Sequence, residues 1–466
     1  MKSLAFGFLS LLGAGLAGFG CSTSSDTASA DTAGAASDLG ASSVQLPLSI
    51  GGLCGGERCD AVARGAVAFF DRKLHGLDAN GRACADCHMV SDSFQLSPAN
   101  VEARYQLLQE RRQQDPDADD PLFRPIDADD FRINGANASD YSNLRQNGLV
   151  RITFPLPASF KLIDPATNAP SSETSVDVWR AVPSVNNVAL TGPDGVNPWP
   201  RGPNTTGGYQ LDARAATLQQ QAAGAFLSHA QAANAPSARM LDDVSAFERV
   251  LFSSSGEREL ADAVRAGATT LPDADPQLND EETAGKAVFA RSCAQCHGGA
   301  GQSTPQSTPT VRLPHYITIA SACPRPVDGA PVPRWHFDPC APRLARNVRV
   351  YEITTPSGAK VRRPSSDPGR ALLTGFAGFG PPLAEDWQKL DVPGLRGVHA
   401  TAPYFHNNSA DTLEAVLDHY TALFKFAAAT APPGVVPPFL TTNGTTIDRP
   451  FTPEERPALL AYLRKL

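Results

Sequence analysis

Two pentapeptides have the residue types and spacing for covalent attachment of haem: Cys84-Ala85-Asp86-Cys87-His88 and Cys293-Ala294-Gln295-Cys296-His297. In each, two thiols three positions apart reach the two vinyl groups of one porphyrin, and the adjacent imidazole meets the iron from below. Two such sites predict two covalently attached haem c groups, with His88 and His297 as proximal iron ligands. The functional question is which iron is open to chemistry.

The elements that must position these sites are written twice. Residues 182–193 align without a gap with 392–403, and both stretches open with Val-Pro. Residues 212–225 align with 407–420, and Gly65 to Phe69 is echoed by Gly285 to Phe289. Each half runs helix, haem site, Val-Pro stretch, Thr-Leu helix, terminal helix, which marks two related mono-haem domains. A helix is expected over 61–74, where Val62, Ala66, Phe69, Phe70 and Leu74 recur at helical spacing. Further helices are expected over 100–113, 238–251 and 453–466, with an Asp/Pro-rich loop at 115–130. The seam falls near 253–280, where Ser, Gly, Pro and Asp accumulate. The first haem c domain is placed at 44–255 and the second at 280–466. An insert at 298–382 is expected to form surface loops.

Bulk properties agree. A chain of 466 residues exceeds a single core of about 250–300 residues. The formal net charge is −8 with no Lys/Arg-rich run, which argues against nucleic acid and against a membrane surface held by charge. Residues 1–20 read as an export signal, with Lys2 before an apolar core and Cys21 at its end. Residues 21–43 read as a flexible tether. The pattern looks like a bacterial lipoprotein signal with Cys21 lipidated, although Gly18 stands where such signals usually carry Leu. The alternative is ordinary cleavage and a soluble periplasmic or secreted protein. The expected location is therefore exported, periplasmic or anchored to the outer membrane, with the membrane reached only through Cys21. No later run approaches 18 apolar residues.

Of nine cysteines, Cys54, Cys59, Cys323 and Cys340 remain after Cys21 and the haem sites. They form two local pairs, and disulfides Cys54–Cys59 and Cys323–Cys340 are expected in an oxidising compartment.

The second axial ligand separates the two irons. Met89 adjoins its own proximal His, and Met240 sits in a core-like helical pattern. Both Thr-Leu helices carry a residue eight positions after the Thr: Tyr420 in the second half, Ala225 in the first. A phenolic oxygen would then meet the second iron and a methyl group the first. Iron-bound Tyr must be near phenolate, since its free pKa is about 10. Tyr420 may instead be a core aromatic, or adjacent His419 the ligand; the residues leave this open.

The two CxxCH sites, Val392-Pro393-Gly394-Leu395-Arg396, Thr401-Ala402-Pro403-Tyr404-Phe405-His406, Thr412-Leu413 and the duplicated order resemble the bacterial di-haem cytochrome c peroxidases and their relative MauG. The resemblance covers roughly residues 60–466. It implies a mainly α fold: two cytochrome-c-like domains, each with one covalent haem, plus long Pro/Gly-rich loops. It places Tyr420 at the distal-ligand position of the second haem. It makes Thr401 and Pro403 backbone ligands of a calcium ion, with Ala181 where the partner Asn stands, so calcium stays open. Gln221 matches a Gln in the distal pocket of the first haem. The family's distal Glu falls at Gln231, which cannot ionise, and His229 nearby is the candidate acid/base. The family's inter-haem Trp falls at Leu211; Tyr209 or Trp199 are candidate substitutes. His406 is expected to bond a propionate or the backbone, and Arg396 to pair with a propionate.

Three functions follow. The first is a peroxidase-type redox enzyme with an open, peroxide-activating first haem and an electron-relaying second haem, served by a small redox protein or other electron donor. The second is a non-catalytic electron-transfer cytochrome. The third is a dioxygen-activating oxygenase resembling the rubber oxygenases.

Overall fold

The structure is a computed structural model that describes residues 53–124, 126–128, 141–191, 208–275, 277–294, 296–303, 316–318, 342–375, 377, 386–430 and 451–466. These all belong to one compact unit, Leu39–Leu466. The export segment, the tether with Cys21, Trp199 and the Cys323–Cys340 pair lie outside the described residues.

The helices used below are α1 (Cys59–Phe70), α2 (Pro98–Gln114), α3 (Leu218–Ser228), α4 (Ala238–Arg249), α5 (Ser255–Arg265), α6 (Asp280–Ser292), α7 (Leu413–Thr430) and α8 (Arg456–Leu463). Polar caps start several of them, which satisfies main-chain N–H groups that have no intrahelical partner. Ser97, Thr217, Ser237 and Ser254 cap α2, α3, α4 and α5, and Asn279 with Glu282 forms a capping box on α6. None of the described helices is long and apolar enough to cross a membrane.

The repeat is visible in how these helices pack. In the first half α1 crosses α4, and in the second α6 crosses α8. A Cβ on Gly65 would lie 1.9 Å from the main-chain oxygen of Asp243, and one on Gly285 would lie 1.9 Å from that of Ala458. Both glycines are there because the backbones touch. One turn on, Phe69 packs on Phe247 at 5.2 Å and Phe289 on Tyr462 at 5.4 Å between ring centroids. The two apolar cores are built around these crossings. Helix α1 stops at Phe70, short of residue 74; Leu74 takes a left-handed conformation (φ +40°) and still reaches the core from the following turn.

One expectation is corrected and two stretches gain structure. The segment before the first Val-Pro stretch, which the residue pattern leaves unread, contains β1 (Leu149–Pro155), β2 (Phe160–Asp164), β3 (Ala169–Pro170) and β4 (Ser175–Ala181). The insert is more than surface loops, because it supplies β5 (Arg349–Thr354) and β6 (Lys360–Ser365). Strands β1 and β4 pair antiparallel, and a second sheet runs β3-β2-β5-β6. That sheet joins the halves, with Phe160 of β2 opposite Ile353 of β5. Val, Ile, Thr and Phe recur in β1, the residue types that suit a pleated, half-buried surface. Phe160, Tyr351 and Trp387, all buried, pack edge-on or tilted beneath the sheet. The seam is helical as well, since α5 buries Glu257, Leu260 and Ala261. Of the two expected disulfides, Cys54–Cys59 is formed.

Gly65→Ala forces a methyl group into main-chain atoms of α4, and such overpacking typically costs about 1–3 kcal/mol. A clear drop in Tm is expected, and Gly285→Ala should match it. Unchanged thermal unfolding in both variants would refute the crossing.

Candidate haem sites and the pocket of the first

Each CxxCH segment is wound into the same tight turn. The amide of His88 donates to Cys84 O at 2.9 Å, and that of His297 to Cys293 O at 2.8 Å. This brings two thiols to one side with the imidazole beyond them. None of these four cysteines is drawn into a disulfide, which leaves both pairs for attachment.

The imidazoles are held alike. His88 Nδ1 is 3.0 Å from Phe94 O, and the main chain of Pro183 also bonds the ring. His297 Nδ1 is 3.3 Å from Gln302 O and 3.1 Å from Pro393 O. Pro183 and Pro393 are the equivalent prolines of the two Val-Pro stretches. Carbonyls only accept, so Nδ1 carries the hydrogen and Nε2 keeps its lone pair for a metal. Burial lowers both pKa values to about 4, against these hydrogen bonds, which keeps the rings neutral. Paired thiols and a neutral, oriented imidazole fit haem c at both sites.

Asp86 braces the first site. Burial opposes its ionisation, but Arg104 and Arg72 hold its carboxyl below the ordinary range. Arg72 bonds it at 2.7 Å and Arg104 at 3.0 Å, and Arg104 of α2 also pairs with Asp120.

The helices eight residues short of Ala225 and Tyr420 are matched in detail. Bridges Tyr209–Ala215 and Tyr404–Ala410 lead into them. Gln210 and Ala213 have φ of +74° and +53°; their counterparts Phe405 and Asn408 have +71° and +54°. Thr217 caps α3 by accepting from Gln220 N, and Thr412 accepts from Ala415 N at the start of α7. Tyr420 is partly exposed, lies within electrostatic reach of Cys296 and Cys293, and has its phenol pKa raised by burial. His419 is buried with its ring 4.6 Å from that of Phe405. Ala225 is partly buried on α3, and Gln221 lies one turn before it on the same face.

The halves meet through paired contacts. Ala181 N donates to His406 O at 2.6 Å, and Asp391 N donates to Leu211 O at 2.8 Å. Ala181 and Asp391 are equivalent in the repeat, and so are Leu211 and His406, so the contact is an internal two-fold. Beside it Arg180, 1% exposed, bonds Asp367 Oδ2 and Asp212 Oδ2, each at 2.6 Å. Burial opposes charge on both carboxyls, but Arg180 holds each below its ordinary value, helped at Asp212 by Arg214.

Several residues with expected roles make protein contacts. Arg396 is already committed: its Nε donates to Ala300 O at 2.6 Å, and its Nη1 pairs with Asp275 at 3.3 Å and Glu257 at 3.7 Å. These contacts tie the second CxxCH turn to α5. The Pro403 carbonyl assigned to calcium accepts from Gln95 Nε2 at 2.9 Å, and Thr401 Oγ1 donates to Val398 O. Among the described residues no group of three or more His, Cys, Asp or Glu side chains converges to hold a metal. His406 is buried between Asp367 and Arg180, and burial lowers its pKa to about 4. Its main-chain carbonyl accepts from Ala181 N. Trp179, Tyr209 and Met240 belong to apolar cores.

In the first pocket, Gln231 is exposed, at φ +51°, and accepts from Asn80. His229 is the better placed. Its Nδ1 is 3.0 Å from Asp127 Oδ1, and its charge acts on His88. Asp127 and its partner Arg82 went unnoticed in the sequence. One lies in the Asp/Pro-rich loop and the other ahead of the CxxCH, and neither forms a motif.

Two family models match the chain: cytochrome c over residues 282–332, and RoxA-like, cytochrome c-like, over residues 391–423. The second half is cytochrome c-like. Together with the motifs, these matches support the resemblance to the di-haem cytochrome c peroxidase and MauG superfamily. No curated protein matches the chain. Similar solved structures include a MauG-like protein associated with microbial copper homeostasis, 20% identical over 91% of this chain and 90% of that one, with a TM-score of 0.40. Another is the dihaem peroxidase BthA from Burkholderia thailandensis E264, 17% identical over 88% and 86%, with a TM-score of 0.39. At these scores they are likenesses of overall kind alone.

Two predictions follow from this geometry. Cys84→Ser combined with Cys87→Ser should leave one covalent haem per chain by pyridine haemochrome assay; two would show that the first site is not a haem site. Arg180→Met strands two buried carboxylates, and breaking a buried pair in this way costs about 3–5 kcal/mol. Both carboxyls have folded pKa values below their unfolded ones, so in wild type this contribution is present above about pH 4 and lost as pH falls through the folded values. In the variant the deficit should be largest at neutral pH and shrink in acid. Equal denaturant midpoints for the two proteins at pH 7 would refute the role of Arg180.

Proposed function

We propose that the chain is an exported di-haem redox enzyme of the peroxidase type, with an open first haem and a second haem that passes electrons. The observation that carries this reading is the matched pair of Thr-capped helices, with a phenol at Tyr420 and a methyl group at Ala225. When bound, the first haem supplies the activation of peroxide. Cys84, Cys87 and His88 hold and orient it, and the carbonyls of Phe94 and Pro183 fix the imidazole. Ala225 offers no ligand atom and leaves room for a small molecule, with Gln221 on the same helix face. Tyr420 supplies an anionic oxygen at the second site, which favours the ferric state and lowers the potential. His419 is packed on Phe405 instead. Electrons would come from a small redox protein or another exported donor, and lipidation at Cys21 would keep the enzyme at a bacterial membrane.

The test is addition of hydrogen peroxide to the two-haem protein, followed optically and by turnover with a one-electron donor. Wild type should respond, the Cys84→Ser/Cys87→Ser variant should not, and Tyr420→Phe should change the absorption of the second haem. No response in wild type would leave an electron carrier. A response to dioxygen but not peroxide would favour an oxygenase. A Tyr420→Phe spectrum identical to wild type would remove the ligand assignment.

A further inference from the structure

We propose that Asp127, clamped by Arg82, positions His229 as the proton-transfer group of the first haem pocket. The proposal rests on the peroxide-activating reading above and names the group that serves it.

Arg82 is 2% exposed and uses all three of its nitrogens in this corner. Its Nη1 bonds Asp127 Oδ2 at 2.7 Å and His229 O at 2.9 Å; its Nε bonds Pro121 O at 3.0 Å and its Nη2 bonds Arg124 O at 3.1 Å. The same guanidinium therefore fixes both the carboxylate and the main chain of the histidine, two residues before Cys84. Asn80 Nδ2 gives His229 O a second donor at 3.0 Å. Asp127 is buried and is itself anchored, because Arg151 N donates to its carbonyl at 2.8 Å. Its second carboxylate oxygen, Oδ1, is left to face His229 Nδ1 at 3.0 Å.

A carboxylate paired with a guanidinium only accepts, so Nδ1 carries the hydrogen and the lone pair sits on Nε2. No described residue bonds Nε2. The ring keeps about a quarter of its surface accessible, at 27%. It follows α3, four residues after Ala225, whose carbonyl accepts the His229 amide. The charged and titratable groups around it are Asp127 and Arg82, and His88 lies within electrostatic reach. A carboxylate on Nδ1 with a free Nε2 is the arrangement that makes an imidazole a base held in one tautomer.

His229 Nε2 would take the proton from one oxygen of hydrogen peroxide and return it to the other. The O–O bond would then break with departure of one water. Over the full turnover hydrogen peroxide takes two protons from solvent and two electrons, which the haem, when bound, would supply and the donor protein would replace one at a time, and both oxygens leave as water.

The test uses the two-haem protein as wild type, His229→Gln, Asp127→Asn and Asp127→Glu. The rate of peroxide reaction and the rate of cyanide binding are measured from pH 5 to 9. Cyanide is a readout apart from turnover, because hydrogen cyanide must also lose its proton to bind. Haem content and Tm serve as the check on folding. His229→Gln keeps the Asp127–Arg82 pair and should slow both reactions roughly 100-fold, in line with general acid–base catalysis, and flatten their dependence on pH. Asp127→Asn should shift the pH profile and slow both reactions less, and Asp127→Glu should restore most of the rate. His229→Gln with wild-type rates and pH profile would overturn the proposal while leaving the open haem intact. Inertness of wild type to both peroxide and cyanide would overturn the open haem, and this proposal with it.

Discussion

Both haem sites depend on the hydrogen bonding of one atom, the Nδ1 of the CxxCH imidazole. Its partners come partly from the turn after the motif, Phe94 and Gln302, and partly from the distant Val-Pro stretches, Pro183 and Pro393. With Nδ1 consumed, only Nε2 can meet an iron. The proline partners come from far along the chain, so each site is complete only when its domain has folded. The helix crossings at Gly65 and Gly285 make that folding possible. They let two backbones touch and seat the aromatic pairs behind the haem turns.

A second constraint sets one half against the other. The reciprocal bonds Ala181–His406 and Asp391–Leu211 form an internal two-fold, and Arg180 secures it from within by holding Asp212 of the first half and Asp367 of the second. Buried charges of this kind are weak evidence for added stability, but here they fix how the halves meet. Chemistry is expected where this symmetry is broken. Tyr420 faces Ala225 across the repeat, and the Asp127–His229 pair occupies the first half.

Much of this was legible in the sequence, because duplication is a strong signal. The two CxxCH sites, both Val-Pro stretches and the Thr-Leu helices mark the two halves, and the resemblance they carry implies the mainly helical fold. The β-structure was not legible. Strand β2 pairs with β5 across the halves, and pairing between segments so far apart leaves little local trace. The buried partnerships were not legible for the same reason: the ties of Arg396 to Asp275 and Glu257, and of Pro403 to Gln95, span more than a hundred residues of sequence. Asp127 was lost in an acidic loop until folding placed it on His229.

The central claim is that one iron is open and the other closed by Tyr420. Low-temperature EPR of the ferric two-haem protein, without any added ligand, tests it most directly. The account predicts one high-spin and one low-spin haem in equal amounts. Two low-spin, six-coordinate signals would contradict it.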